Sequence, residues 1–126
     1  MPGGQILVVE DNERNMKLAR DVLQAVGYRT LEASTGEQAL TLAAEHSPAL
    51  VLMDGRLPDM DGSEALARLR STPPTAAIPV VAVTAQAMKG DHERFIEAGF
   101  DDYLSKPVDV DQLLEIVARF CDRGHL

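Results

Sequence analysis

Three carboxylate side chains stand directly after the two most apolar stretches of the sequence. Residues 6–9 run into Glu10 and Asp11, and residues 49–53 run into Asp54. Two carboxylates about 4 Å apart repel each other by about 4 kcal/mol at an effective dielectric constant of 20, so such a cluster either keeps a proton or binds a cation. An all-oxygen ligand set favours Mg²⁺, Mn²⁺ or Ca²⁺ over zinc. Because Mg²⁺ commonly completes its shell with phosphate oxygens, the pattern indicates phosphate chemistry.

The elements that must position these acids alternate along the chain. The strand candidates are residues 5–10, 28–33, 49–53, 79–83 and 102–105. Between them lie amphipathic segments, with Ser34 and Glu37 predicted as a capping box for the second helix, the fourth helix at 87–98, and Asp109 as the cap of the fifth.

Five β/α units with nearly continuous apolar strands predict an α/β protein with a flavodoxin-like (βα)5 fold. The sheet is expected to be doubly wound, five-stranded and parallel, in the order 2-1-3-4-5, with helices on both faces. In that order the first and third strands are neighbours, so all three carboxylates share the crevice at their carboxyl ends. We expect one domain over residues 1–126, with its core at about 5–122 and no output domain.

Two further side chains follow the remaining strands. The fourth strand ends in Thr84, a hydroxyl donor, and the fifth is followed by Lys106, whose ammonium group can pair with a carboxylate or a phosphoryl oxygen. Pro107 can adopt a cis peptide bond that aims Lys106 inward. Each residue also has a plainer interpretation, because a threonine there can cap the next helix, a Lys-Pro pair can form a solvated turn, and strand-ending acids can be ordinary loop residues. Their joint placement favours a site.

Four segments carry a resemblance to a known family. In this order and spacing, "VVEDN", "LVLMDGRLPDMDG", "VVAVTA" and "DDYLSKP" resemble the receiver domain of bacterial response regulators, and the resemblance covers almost the whole chain. "VEDNERNMKL" together with "AVTAQAMKGDHERFIEAG" is most similar to receivers of hybrid sensor kinases and to single-domain cell-cycle regulators of the DivK type.

The resemblance implies a role for each acid of the crevice. Asp54 would accept a phosphoryl group, Asp11 would bind Mg²⁺ directly, and Glu10 would bind it mainly through water. The backbone carbonyl of Arg56 would supply another metal ligand. Mn²⁺ is a possible substitute for Mg²⁺.

The resemblance also implies a switch. Thr84 and Lys106 would contact the phosphoryl oxygens, and Tyr103 would be the aromatic residue that changes rotamer. The phosphoryl group would come from a histidine kinase or a histidine phosphotransfer protein, and a downstream protein would bind the face formed by the fourth helix, fifth strand and fifth helix. Without the resemblance, Tyr103 is equally well an ordinary half-buried tyrosine.

Residues next to the acceptor raise a question about phosphoryl lifetime. Arg56 is expected to lie over the mouth of the crevice and, with Gln86 opposite, to hinder the water that would hydrolyse the aspartyl phosphate. Alternatively, Arg56 assists hydrolysis as an arginine finger does, or it is a solvated residue paired with Asp59 or another surface acid. Gly55 departs from the family, which often has an apolar residue there, and we expect it to loosen the turn.

Three competing classes fit parts of the pattern. An Mg²⁺-dependent phosphatase of the haloacid dehalogenase type also uses a nucleophilic aspartate. The motif of such phosphatases has a second aspartate two residues later, where this chain has Arg56. A flavodoxin-like nucleotide binder needs a neutral loop after the first strand, where Glu10 and Asp11 stand. A degenerate receiver that acts as a docking scaffold would not need the complete residue set.

Composition narrows the partners. A net charge of −8 disfavours nucleic acid and anionic membranes, which bind clustered lysine and arginine. No signal peptide or apolar segment of about 20 residues is seen, so a cytoplasmic location is expected, with the chain a monomer or weak dimer. We expect a signalling receiver and not an enzyme, one that catalyses its own phosphorylation and dephosphorylation and that can be free-standing or part of a hybrid histidine kinase.

Overall fold

The computed structural model describes residues 4–85 and 91–121. Five strands alternate with five helices in these residues, in the order β1 Gln5–Val9, α1 Glu13–Ala25, β2 Arg29–Ala33, α2 Gly36–His46, β3 Leu50–Asp54, α3 Gly62–Ser71, β4 Val80–Thr84, α4 Asp91–Ala98, β5 Asp102–Ser105 and α5 Val110–Cys121. None of the described helices is both long enough and apolar enough to cross a bilayer.

The strands form one parallel sheet in the order β2-β1-β3-β4-β5, which confirms the predicted topology. The register places Val9 of β1 beside Met53 of β3, and Asp54 beside Val83 of β4. Thr84 is paired with Ser105 of β5. The strand ends that carry the polar residues are therefore level with one another at one edge of the sheet.

Apolar side chains cover both faces of this sheet, as the continuous hydrophobic runs predict. On one face, Leu7 and Met53 pack with residues of α2 and α3 such as Leu66. On the other, Leu52 packs with residues of α1 and α5 such as Leu23 and Val117. Alternate residues of one strand therefore pack into the hydrophobic clusters on opposite faces of the sheet. All five residues of β3 are buried, so helices cover this strand on both faces.

The strand boundaries differ from the predicted ones by about one residue, and two of the shifts matter for the site. The third and fourth strands lie one residue further along than predicted, so Asp54 and Thr84 are the last residues of β3 and β4. The first strand ends at Val9, so Glu10 follows it. Residues 87–90 of the predicted fourth helix lie outside the described part of the chain.

The helix ends follow the expected chemistry with one correction. The predicted Ser34–Glu37 capping box is wrong, because Thr35 is the N-cap of α2 and its side chain accepts from the Gln38 N–H at 3.1 Å. The Gln38 side chain in turn accepts from the Ser34 N–H at 2.8 Å, one residue before the cap, so the reciprocal bond of a capping box to the Thr35 N–H is replaced by one to its neighbour. Asp109 accepts from the Gln112 N–H at 3.0 Å and caps α5 as predicted.

Candidate functional site

The predicted carboxylates meet in one cluster. Oxygens of Glu10, Asp11 and Asp54 lie within 4.8 Å of one another at the carboxyl edge of the sheet. Glu10 and Asp54 are buried, with 6% and 7% of their surfaces exposed, whereas Asp11 faces solvent. This donor set of hard oxygen atoms, closed on one side and open on the other, fits Mg²⁺ with water in its shell.

Asp54 is held by a backbone N–H group and lies close to a lysine ammonium. Its Oδ1 accepts a hydrogen bond from the Arg56 backbone N–H at 3.2 Å and lies 3.3 Å from the Lys106 Nζ. Burial acts to raise the pKa of Asp54, but the hydrogen bond shared with Glu10, the Arg56 N–H and the Lys106 charge together hold that pKa below its usual value. Asp54 is therefore ionised at neutral pH, as an attacking carboxylate must be.

Lys106 reaches the cluster from the end of β5. Its backbone N–H donates to the Thr84 carbonyl at 2.8 Å, and the peptide bond to Pro107 is cis. Its Nζ donates to both oxygens of Glu10, at 3.0 and 3.2 Å. Although burial acts to lower the pKa of Lys106, the bond to Glu10 and the charges of Glu10 and Asp54 raise it, so the ammonium group is maintained.

Glu10 also accepts a hydrogen bond from a residue that was not predicted to belong to the site. The Asn15 Nδ2 donates to the Glu10 Oε1 at 2.6 Å. Burial, followed by the hydrogen bond with Asp54, raises the pKa of Glu10 to about 7, with Asn15 and Lys106 opposing. The sequence does contain a clue to this contact. Asn12 is a favourable N-cap, and a helix that starts there has Asn15 in its first turn, close to the end of β1 and Glu10.

Thr84 and Gly55 pack against each other beside Asp54. Thr84 is buried, with 7% of its surface exposed, and a Cβ added to Gly55 would lie 3.3 Å from the Thr84 Oγ1. The Gly55 N–H donates to the Val83 carbonyl and its carbonyl accepts from the Gly62 N–H, each at 3.0 Å. These bonds do not support the expected loosening of the turn. Gly55 instead leaves room for the Thr84 side chain.

Arg56 is one of the two residues predicted to gate the site, and the structure describes its position. The Arg56 side chain is exposed and lines the open cleft that also contains Asp54, Thr84 and Lys106. Its suggested partner Asp59 instead accepts from the Gly36 and Glu37 N–H groups, at 2.8 and 3.0 Å, at the start of α2. Gln86 lies outside the described residues.

Tyr103 sits on β5 on the far side of Thr84 from the carboxylates. It is half-buried, and its ring stacks on that of Phe95 in α4 with centroids 5.2 Å apart and planes inclined by 26°. This contact joins β5 to α4, so a rotamer change of Tyr103 would alter the packing between these two elements.

Comparison with known proteins gives one consistent result. Residues 6–118 match the family model of the response regulator receiver domain. The polar-differentiation response regulator DivK of Brucella ovis is 46% identical over 115 residues, which span 91% of this chain and 94% of that protein.

Solved structures agree with that match. The receiver domain of a sensor histidine kinase from Pseudomonas aeruginosa, crystallised with a magnesium ion coordinated in its active-site cleft, superimposes with a TM-score of 0.86 and 37% identity over 95% of this chain and 98% of that one. A putative response regulator from Chloroflexus aurantiacus gives a TM-score of 0.88 and 30% identity over 96% and 99% of the two chains.

Proposed function

Because the chain belongs to the response regulator receiver domain family of two-component signalling, we propose that it is a phosphoacceptor, with Asp54 taking a phosphoryl group in an Mg²⁺-dependent reaction. The observation that carries the proposal is the environment of Asp54. This carboxylate is buried, is ionised by its hydrogen bonds, and lies 3.3 Å from the Lys106 Nζ and beside two further carboxylates. The same arrangement leaves its outer side open to a donor through the cleft.

The transfer is a displacement at phosphorus. A carboxylate oxygen of Asp54 forms the new bond to phosphorus as the bond to the donor breaks, and the departing histidine nitrogen or acetate oxygen keeps that electron pair. The reaction needs no external acid or base on the acceptor side, because Asp54 is already deprotonated. The resulting acyl phosphate carries about two negative charges and additional acceptor oxygens.

Charge neutralisation is the main contribution of the surrounding residues. Glu10, Asp11, Asp54 and the carbonyl of Arg56 would hold Mg²⁺, which would neutralise the phosphoryl oxygens as they approach the carboxylates. Lys106 supplies a second positive charge. To reach a phosphoryl oxygen it must give up part of its two-point bond to Glu10.

The output of phosphorylation passes through Thr84 and Tyr103. The Thr84 hydroxyl would turn to donate to a phosphoryl oxygen, and the space it leaves would admit the Tyr103 ring. Because that ring stacks on Phe95, its movement would change the face formed by α4, β5 and α5, where we place the binding of a downstream protein. The phosphoryl donor would be a histidine kinase or a histidine phosphotransfer protein in the cytoplasm.

The catalysis proposed for the chain is confined to its own phosphorylation and dephosphorylation. Arg56, exposed at the mouth of the cleft, would hinder the water that hydrolyses the product, and Gln86 would narrow the opening from the other side.

The metal requirement tests the proposal. Wild-type protein is incubated with acetyl phosphate in Mg²⁺ or in excess EDTA, and the gain of a phosphoryl group is followed by intact mass spectrometry. We expect labelling in Mg²⁺, none in EDTA, and none in Asp11→Ala. Glu13→Ala is the matched control, since it removes an acid from the first turn of α1 outside the cluster. Efficient labelling in EDTA would contradict the proposed role of the metal.

A further inference from the structure

Glu10 is shared between a charged donor and a neutral one. Its Oε1 accepts from both the Asn15 amide, at 2.6 Å, and the Lys106 ammonium, at 3.0 Å. Its Oε2 accepts from the Lys106 ammonium at 3.2 Å. Asn15 and Lys106 therefore do different things: one binds a single oxygen without adding charge, and the other bridges both oxygens and also faces Asp54.

The N-terminal cap of α1 holds Asn15 in this position. The Asn12 side chain caps the helix by accepting from the Arg14 N–H at 2.9 Å and the Asn15 N–H at 3.1 Å. This orders the first turn and leaves the Asn15 side chain directed back toward Glu10. The backbone bond that sets the position does not depend on the identity of the side chain at residue 15, so the side chain can be replaced without removing the cap.

The two donors respond differently when a divalent cation or a phosphoryl group enters the cluster. A divalent cation beside the carboxylates repels the Lys106 ammonium, and a phosphoryl group on Asp54 attracts it, so both events weaken the bond between Lys106 and Glu10. Glu10 is only 6% exposed, and a buried carboxylate oxygen that loses its donor is left desolvated without a compensating hydrogen bond. The uncharged Asn15 amide is not repelled and can remain bound to Oε1.

We propose that Asn15 is a positioning residue that keeps Glu10 oriented toward the metal while Lys106 transfers from Glu10 to the phosphoryl group. It holds Oε1 and leaves Oε2 free to act on the metal side. The inference rests on the proposed function for its last step, the transfer of Lys106, whereas its first step concerns Mg²⁺ binding alone.

Mg²⁺ titration calorimetry of the unphosphorylated protein provides the first test. We expect Asn15→Ala to weaken Mg²⁺ binding by about three- to tenfold, the size expected for the loss of one typical hydrogen bond. Folding should not be the cause, since alanine is a better helix former than asparagine. Gln24→Ala is the matched control, because it also removes an exposed side-chain amide hydrogen bond from α1, here to Thr30.

A double-mutant cycle with Glu10→Gln separates positioning from a general effect on the helix. If Asn15 acts through the Glu10 carboxylate, the loss caused by Asn15→Ala should nearly disappear in the Glu10→Gln background. The rate of phosphorylation by acetyl phosphate at subsaturating Mg²⁺ should fall in parallel for Asn15→Ala, and excess Mg²⁺ should restore most of it.

Two results would overturn the role of Asn15: unchanged Mg²⁺ affinity in Asn15→Ala, or an equal loss in both backgrounds. Failure of the wild-type protein to accept a phosphoryl group would instead count against the proposed function. The calorimetric cycle would still decide whether Asn15 orients Glu10, because it uses Mg²⁺ alone.

Discussion

Glu10 and Asp54 share a hydrogen bond, yet the fold shifts their pKa values in opposite directions. Burial and the bond to Asp54 raise the pKa of Glu10 from 4.5 to about 7, whereas Asp54 is held below its usual value of 3.8. Folding therefore favours the protonated form of Glu10. Its contribution to stability is complete below about pH 4.5 and is lost as pH rises toward about 7.

The pH dependence of unfolding tests this assignment in the metal-free protein. In EDTA, the unfolding free energy of wild type relative to Glu10→Gln should fall between pH 4.5 and about 7. Urea unfolding at intervals across that window measures the difference. The acids whose pKa values are depressed by other partners, Asp21 and Asp59, cancel between the two proteins, and Asp54, which shares a hydrogen bond with Glu10, titrates below the window in wild type. Parallel stability curves would show that Glu10 ionises normally.

Arg56 lets the lifetime of the phosphoryl group be tested at a single residue. An exposed guanidinium at the mouth of the cleft is poorly preorganised to stabilise a transition state, so we expect obstruction of water to outweigh assistance. Arg56→Ala should shorten the phosphoryl half-life several-fold, a change of about 1 kcal/mol in the barrier. Arg68→Ala is the control, because it removes the same charge from α3, where it pairs with Glu37 and Glu64. A longer half-life in Arg56→Ala would mean that the arginine assists hydrolysis.

At the scale of elements, Gly62 determines how closely α3 approaches the end of β3. A Cβ at Gly62 would lie 2.4 Å from the Asp54 backbone carbonyl, a contact that backbone atoms cannot relieve cheaply. Gly62→Ala should therefore destabilise the fold by about 2 kcal/mol or more, although alanine is normally favoured in a helix. Ser63→Ala, at an exposed neighbouring position, should have little effect. Equal midpoints for the two variants in urea unfolding would contradict the predicted clash.

The strands, their order in the sheet and the meeting of the three acids could be predicted from the sequence. Continuous apolar runs indicated the parallel strands, and the acids at their ends indicated the convergence of Glu10, Asp11 and Asp54. The capping of α2 was displaced by one residue because Ser34 and Thr35 are both good N-caps, and the choice depends on how the chain leaves β2.

The contacts that sequence could not predict join side chains to distant backbone groups. Asp59 binds the N-terminus of α2 and not Arg56, because the loop after β3 folds over that helix end. Arg70 similarly donates to the carbonyl of Ile78 at 2.6 Å and to Asp101 at 3.0 Å. Such contacts depend on tertiary packing, which gives no periodic signal along the chain.

Over the whole molecule, the proposed signal passes from the carboxylate cluster through Thr84 and Tyr103 to the α4–β5–α5 face. Thr84→Ala should leave phosphorylation largely intact, since Asp54, Lys106 and the acids remain, but it should reduce the phosphorylation-dependent change in amide hydrogen exchange on that face. Thr84→Ser keeps the hydroxyl and is the matched control. If Thr84→Ala responds as wild type does, the signal does not pass through Thr84.

The proposed role of Asp54 as the phosphoacceptor is tested by intact mass spectrometry of Asp54→Asn. After incubation with acetyl phosphate and Mg²⁺, wild type should gain the mass of one phosphoryl group and Asp54→Asn should gain none. Asp61→Asn, which changes another acid lining the same cleft, should label as wild type does. Undiminished labelling of Asp54→Asn would contradict this role, because another side chain would then be the acceptor.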